Sequence, residues 1–124
     1  MDLWADYAAQ CPGLGTFALE IKESGDFAGF CVARQVGYDP TSQEYEIGYI
    51  LTPECRGQGV ASELVPPLCA YCLGQCPANH LVAFTDPKNA ASQRVLLKSG
   101  FRYMGTRQTT DGTSAEFWLE RNAL

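Results

Sequence analysis

No stretch of the chain approaches the ~20 consecutive apolar residues that a membrane-spanning helix needs, so neither a span nor a membrane partner is expected. The opening residues, Met1-Asp2-Leu3-Trp4-Ala5-Asp6, are acidic and carry no signal-peptide pattern. The expectation is a soluble, cytoplasmic protein. Positive charge is scarce as well. Nine Lys and Arg stand against fourteen Asp and Glu, a net charge of −5. A nucleic-acid partner needs a basic face to meet its phosphates, so nucleic acid is set aside as a main ligand. The shortage is uneven: up to Glu63 ten acids face only Lys22, Arg34 and Arg56, whereas from Leu64 onward four acids face six bases. Repeats, linkers and low-complexity tracts are absent too. The 124 residues therefore read as one domain, long enough to bury a core.

Cysteine is plentiful, with six residues. Without a signal peptide, and with Cys31 and Cys69 set among apolar neighbours, these read as core fillers and not as a disulfide framework. Cys69, Cys72, Cys76 and His80 follow C-x2-C-x3-C-x3-H, a spacing similar to that of zinc ligands. Val65, Leu68, Cys69, Cys72 and Cys76 equally trace the inner face of a helix. The helical reading is preferred, and no metal is expected.

Alternation of apolar and polar residues predicts strands over Thr16–Lys22, Phe27–Val36 and Glu44–Leu51, the first two joined as a hairpin. Pro53 ends the third. A helix is expected from the glycine-containing stretch Glu54-Cys-Arg-Gly-Gln-Gly-Val-Ala-Ser-Glu-Leu64 to about Gly74, with a kink or break at Pro66-Pro67. A strand follows at His80–Thr85, then a helix opened by Asp86-Pro87 and closed by Gly100. Phe101–Gln108 and Ser114–Glu120, turning at Asp111-Gly112, form a closing hairpin. The order predicts a mixed α/β domain.

The stretch around Arg56-Gly57-Gln58-Gly59 exposes backbone N–H groups at the start of a helix, a site suited to an anion. It is not a P-loop, because no lysine follows Gly59. It is a poor dinucleotide fingerprint, because Ser62 stands where a third glycine belongs. Arg56-x-x-Gly59-x-Ala61 instead resembles the Q/R-x-x-G-x-G/A signature of the GNAT superfamily of acyl-CoA-dependent N-acyltransferases. Downstream, Asn89-Ala-Ala-Ser92, Lys98 and Gly100-Phe101 are similar to that family's N-x-x-[AS]-x5-K-x-G-F segment, and the strand Glu46-Ile-Gly-Tyr-Ile-Leu51 is similar to its central strand. The nearest branch looks like that of the ribosomal-protein N-terminal acetyltransferases and some drug acetyltransferases.

The resemblance implies a central, largely antiparallel mixed sheet with flanking helices, and acetyl-CoA as cosubstrate. It implies that the coenzyme's pyrophosphate lies on Gly57, Gln58, Gly59, Val60, Ala61 and Ser62 beside Arg56. The pantetheine arm would pair with Ile50, Leu51 and Thr52, and Asn89 would hold it from the second helix. For attack by an amine, Glu46 is the candidate base, with Glu44 as runner-up; either also reads as a surface glutamate. A backbone N–H near Leu51 is the family's usual oxyanion donor. Ser92 matches a serine that can meet the coenzyme sulfur, or it is a small packing residue. Tyr49 and Tyr103 are further hydroxyls without an assigned role.

Two departures stand out. Leu96 occupies the position where many family members carry a tyrosine acid. Only about fifteen residues precede the first predicted strand, so the family's usual first strand and helices are expected to be missing, and Met1–Gln10 supplies at most one short helix. A homodimer completing the acceptor groove is one solution. An acetyltransferase acting on a primary amine and a non-catalytic acyl-CoA-binding module both remain open.

Overall fold

The computed structural model describes residues 13–110 and 112–123. The expected helix within Met1–Gln10, and Asp111 of the closing turn, lie outside the described residues. Six strands form one sheet: β1 (Gly15–Glu20), β2 (Phe27–Gln35), β3 (Tyr45–Leu51), β4 (His80–Thr85), β5 (Arg102–Thr109) and β6 (Gly112–Glu120). Among the described residues two α-helices accompany them, α1 (Val60–Gly74) after β3 and α2 (Ala90–Lys98) after β4. The sheet order is β1-β2-β3-β4-β6-β5, antiparallel throughout except where β3 meets β4.

Strand alternation divides the sheet into two faces. One face presents Cys31, Ala33, Ile47, Leu81, Ala83, Ala115, Phe117 and Leu119 to Val65, Leu68, Cys69, Cys72 and Leu73 of α1 and Leu96 of α2, which together form the main core. The opposite face carries Arg34 and Glu46, which are direct cross-strand partners on β2 and β3, and the rings of Phe84 and Trp118. Arg107 of β5 braces this face. It makes a bidentate pair with Glu44 at 2.9 and 2.8 Å and another with Glu116 at 3.0 and 2.8 Å, tying the start of β3 to the far edge of the sheet.

Of the kink or break expected at Pro66-Pro67, the break does not occur: α1 runs through both prolines without interruption. They remove the N–H donors that would reach Ser62 and Glu63. Both prolines are exposed, so the orphaned carbonyls lie toward water, while burial of Val65, Leu68 and Cys69 on the inner side holds the helix to the sheet. Arg121 closes the far end by donating to the carbonyls of Leu73, Cys76 and Ala78.

The expected start of the second helix at Asp86-Pro87 is also corrected. Asp86 Oδ1 accepts from the Lys88 N–H in a local turn, and α2 begins only at Ala90. Its N-cap is Asn89, whose Oδ1 accepts from the Ser92 N–H at 3.0 Å. Asparagine is as good a cap as aspartate, and the later site leaves Pro87 in the preceding turn. The helix ends as expected, with Gly100 at φ 100° and bonds from Gly100 N to Leu97 O and from Phe101 N to Leu96 O, a Schellman arrangement.

Candidate active site

The site begins with a separation of strands. β3 and β4 pair only at Tyr45–Leu81 and Glu46–Val82. Beyond those rungs β3 continues along β2 to Leu51, and β4 continues along β6 to Thr85. A wedge therefore opens between two parallel strands at their carboxyl ends, the side where α/β folds commonly bind ligands. The Thr52 N–H donates to Ala28 O at 2.8 Å, which fixes the alternation: the backbone groups of Ile50 and Thr52 turn toward β2, and those of Ile47, Tyr49 and Leu51 turn toward the wedge. Of the expected pairing segment Ile50–Thr52, only Leu51 thus offers its N–H to the wedge. Tyr49, one pleat earlier, offers a second.

The glycine stretch lies at the mouth of the wedge. Gly57 and Gly59 have φ of 73° and 79°, left-handed values that strain any residue with a Cβ. A Cβ at either position would meet nothing within 4 Å, so glycine is needed there for backbone conformation and not to relieve crowding. Gly59 is the N-cap of α1 and has no side chain to satisfy it. The N–H groups of the first helical residues, Val60, Ala61 and Ser62, are left pointing outward with the positive end of the helix dipole. The contrast with α2, capped by Asn89, is direct: one helix start is closed and the other is open to an anion.

A cleft of about 820 Å³ joins these parts. It is lined by Tyr49, Ile50, Leu51, Cys55, Arg56, Gly57, Gly59, Val60, Ala61, Ser62, Asn89, Ala91, Ser92, Arg94, Val95 and Lys98. Most expected coenzyme-binding residues are gathered here. Thr52 and Gln58 stand outside the lining, and the Gln58 amide instead donates to Glu54 O. Arg56 is held in place by a 3.2 Å bond from Nε to Leu51 O. Ser92 and Tyr49 share a hydrogen bond of 3.3 Å across the wedge, which gives Tyr49 the location its sequence position alone did not reveal. Leu96, by contrast, is buried in the core.

Glu46 lies elsewhere. It stands at the last rung of the β3–β4 ladder, with its side chain on the sheet face away from the helices. There it lines a second cavity of about 690 Å³ with Arg34, Phe84, Thr85, Asp86, Arg107 and a group of Thr and Ser residues. It is only 7 % exposed, and its Oε1 accepts from Arg34 Nε at 2.9 Å. Glu44 is committed to Arg107, whose hydrogen bonds hold its carboxyl below the usual range. The expected coenzyme-binding residues and the candidate base thus occupy two cavities on opposite faces of the sheet, with the wedge between them. Tyr103 is exposed and contacts Phe117, in neither cavity.

The cysteine and histidine pattern does not assemble. Cys69 and Cys72 are buried against the core, and burial pushes both thiols up to about 12, which disfavours the thiolate a metal requires. His80 stacks on Trp118 at 3.9 Å. Among the described residues no cluster of three or more His, Cys, Asp or Glu side chains could hold a metal ion.

Sequence reasoning gave no site role to Ala91, Arg94, Val95 or Lys98, although Lys98 belongs to the segment that resembles the family motif. Their signal was the spacing i, i+3/i+4, i+7, which sets them on one helical stripe, turned away from the core residue Leu96.

This wedge beside an uncapped, glycine-led helix defines a class, and comparison with known proteins agrees. The acetyltransferase (GNAT) domain family matches residues 2–102, and the chain belongs to that family. It is 30% identical over 76 residues to the uncharacterized N-acetyltransferase YnaD of Bacillus subtilis, covering 61% of this chain and 45% of that one. It is 31% identical over 96 residues to the uncharacterized protein YkkB of the same organism, covering 76% and 54%. The chain spans about half the length of these curated relatives. Among solved structures, the fold matches the aminoglycoside acetyltransferase AAC(6')-Ib in complex with coenzyme A, with TM-score 0.75, 19% identity, 94% of this chain and 70% of that one. It also matches an acetyltransferase from Agrobacterium tumefaciens with TM-score 0.75, 20% identity, 92% and 65%.

Proposed function

We propose that the protein transfers the acetyl group of acetyl-CoA to a primary amine by direct attack. The wedge carries this reading: it links an anion-suited cleft to a polar cavity that contains a carboxylate. Bound acetyl-CoA supplies an activated thioester. The open N-terminus of α1 and Arg56 hold its pyrophosphate, and the N–H of Tyr49 pairs with the pantetheine arm. Glu46 takes the proton from the incoming amine in the cavity behind the wedge; an unperturbed lysine amine titrates near ~10.4, so attack at neutral pH needs such a base. The Leu51 N–H faces the region where the oxyanion develops. As the oxyanion collapses, the thioester C–S bond breaks and coenzyme A leaves as its thiolate, on the side where Ser92, bonded to Tyr49, supplies a hydroxyl.

Ser92 also supports placing the chain nearest the ribosomal-protein N-terminal acetyltransferase branch. AAC(6')-Ib has been crystallised with coenzyme A and kanamycin, which keeps aminoglycosides among the acceptors to test. A cytoplasmic location suits the five described cysteines, all free thiols. Leu96 favours a second reading, a non-catalytic acyl-CoA-binding module, since no tyrosine hydroxyl stands at that position. One experiment separates them: acetyl-CoA turnover measured across N-terminal peptides, lysine, polyamines and aminoglycosides, beside calorimetry of coenzyme A. Turnover of one class supports the transferase. Binding with no turnover anywhere replaces it with the module.

A further inference from the structure

The two cavities divide the work of proton transfer unevenly. Glu46 serves the face away from the helices, but a thiolate expelled into the cleft on the other face leaves more readily when a donor protonates it. Leu96 offers no proton and is buried in the core. Cys55 is buried with Ala28 and Leu51. Lys98 lies ~9 Å along α2 from Ser92 at ~1.5 Å per residue, and Arg56 and Arg94 do not give up protons. Among the described residues Tyr49 is the one phenol in the cleft lining. It stands opposite Cys31 of β2, three positions after Glu46, so its side chain leaves β3 on the helix side. Its half-buried ring packs against the main core and against the smaller cluster of Leu51 and Cys55. That packing sets its hydroxyl beside Ser92, in the first turn of α2. The two oxygens are 3.3 Å apart, longer than the ~2.5–3.0 Å of a full O–H···O bond. The phenol proton is therefore held loosely and can turn to a third group in the cleft.

We infer that Tyr49 is the general acid of the reaction, delivering its phenolic proton to the sulfur as the thioester C–S bond breaks. This rests on the transfer reading above. The step balances. The amine nitrogen forms the new C–N bond, and Glu46 takes its proton. The carbonyl re-forms, the C–S electron pair passes to sulfur, and sulfur takes the Tyr49 proton to give the free thiol. The Tyr49 phenolate then regains a proton from solvent while Glu46 returns one. An ordinary phenol titrates near ~10 and an ordinary thiol near ~8.5, a match that an aliphatic hydroxyl, a much weaker acid, does not offer. Ser92 is then a positioning residue that orients the phenol. Base and acid act from opposite faces of the sheet, on either side of the wedge.

Steady-state kinetics of Tyr49→Phe and Ser92→Ala test this, with N-terminal peptides, lysine, polyamines and aminoglycosides as acceptors. Phenylalanine keeps the packing ring, so Tm and the calorimetric affinity for coenzyme A are expected to hold. Turnover of Tyr49→Phe is expected to fall by about 10²–10⁴-fold, and the alkaline limb of its pH–rate profile to flatten. Ser92→Ala is expected to lose less and to keep that limb. A second readout needs no turnover: ultraviolet titration of the coenzyme A thiol bound to each protein, against the unliganded protein. A donor at the sulfur favours the thiolate, so the bound thiol should titrate lower in the wild type than in Tyr49→Phe. An unchanged rate and pH profile in Tyr49→Phe, or equal thiol titration in the two proteins, overturns the acid while leaving acetyl transfer standing. Loss of the alkaline limb in Ser92→Ala alone also overturns it. A wild type that binds coenzyme A and acetylates none of the acceptors defeats the transfer reading, and this inference with it.

Discussion

Placing a carboxylate at the start of α1 should separate binding from stability by moving them in opposite directions. Ser62 is the position to use. It is the third residue of the helix, where glutamate is favoured, and it lines the cleft. Ala61, the neighbouring choice, packs against Ala28, Leu51 and Cys55 and would mix a packing cost into the result. Glutamate at Ser62 interacts favourably with the helix dipole, worth about 0.3–1 kcal/mol, so Tm should hold or rise by about 1–5 °C. The same charge opposes a pyrophosphate. Two unit charges about 4 Å apart near a protein surface repel by about 4 kcal/mol at an effective dielectric of about 20, roughly a thousandfold in Kd. Ser62→Gln, similar in size and uncharged, is the control that isolates charge from bulk. Calorimetry with coenzyme A and thermal melts of both variants supply the comparison. The deficit of the glutamate variant should shrink toward 1 M salt, where the Debye length falls to about 3 Å. Equal coenzyme A affinity for Ser62→Glu and Ser62→Gln would refute an anion site at this helix start. Loss of binding together with a fall in Tm would show only that the fold had been damaged.

Three further outcomes are expected. Glu46→Gln should leave coenzyme A affinity intact and lower turnover by about 10²–10⁴-fold, with the pH–rate limb moving toward the pKa of the amine; an unchanged rate and profile in steady-state kinetics rule Glu46 out as the base. Arg107→Met should destabilise the fold, because it leaves the mostly buried Glu116 without its cation. It should also remove an acid-sensitive increment: the folded carboxyl of Glu44 is depressed by Arg107, so that pair stabilises the fold above the ordinary carboxylate pKa and stops doing so as pH falls through the depressed value. Denaturant melts from pH 7 to pH 3 would therefore show a steeper acid loss in the wild type than in the variant, and parallel curves count against the brace. Finally, Phe27, Phe30 and Ile50 are 51, 47 and 70% exposed, a patch that favours self-association. Sedimentation at tens of micromolar, a range estimated from typical dimer constants, should show a dimer, and a monomer alone argues against one.

Much of this protein follows from local chemistry along the chain. Local patterns placed all six strands within a residue or two of their ends: alternation for half-buried strands, which must alternate to bury one face, and a short apolar run for β4, which is buried on both faces. Arg56-Gly-Gln-Gly59 marked an uncapped helix start and a candidate anion site, because an open helix N-terminus and two left-handed glycines are properties of a short segment. Gly100 marked a helix end for the same reason. Local signals misled where tertiary packing outweighed them. Pro66-Pro67 would break an isolated helix, but burial of Val65, Leu68, Cys69 and Cys72 against the sheet carries α1 through. Asp86 and Asn89 are both good caps, and only the folded turn settled which one is used.

Other features could be decided only by the sheet as a whole. The end of the β3–β4 ladder after Glu46 and Val82 depends on strands paired on their far sides with β2 and β6, partners distant in sequence. The same pairing decides that Tyr49 and Leu51, not Ile50 and Thr52, turn their backbone toward the wedge. It also puts Glu46 and Ser92 on opposite faces and brings the Tyr49 and Ser92 hydroxyls to 3.3 Å. Pairing two groups separated by 43 positions is a property of topology and register, which no local run of residues encodes.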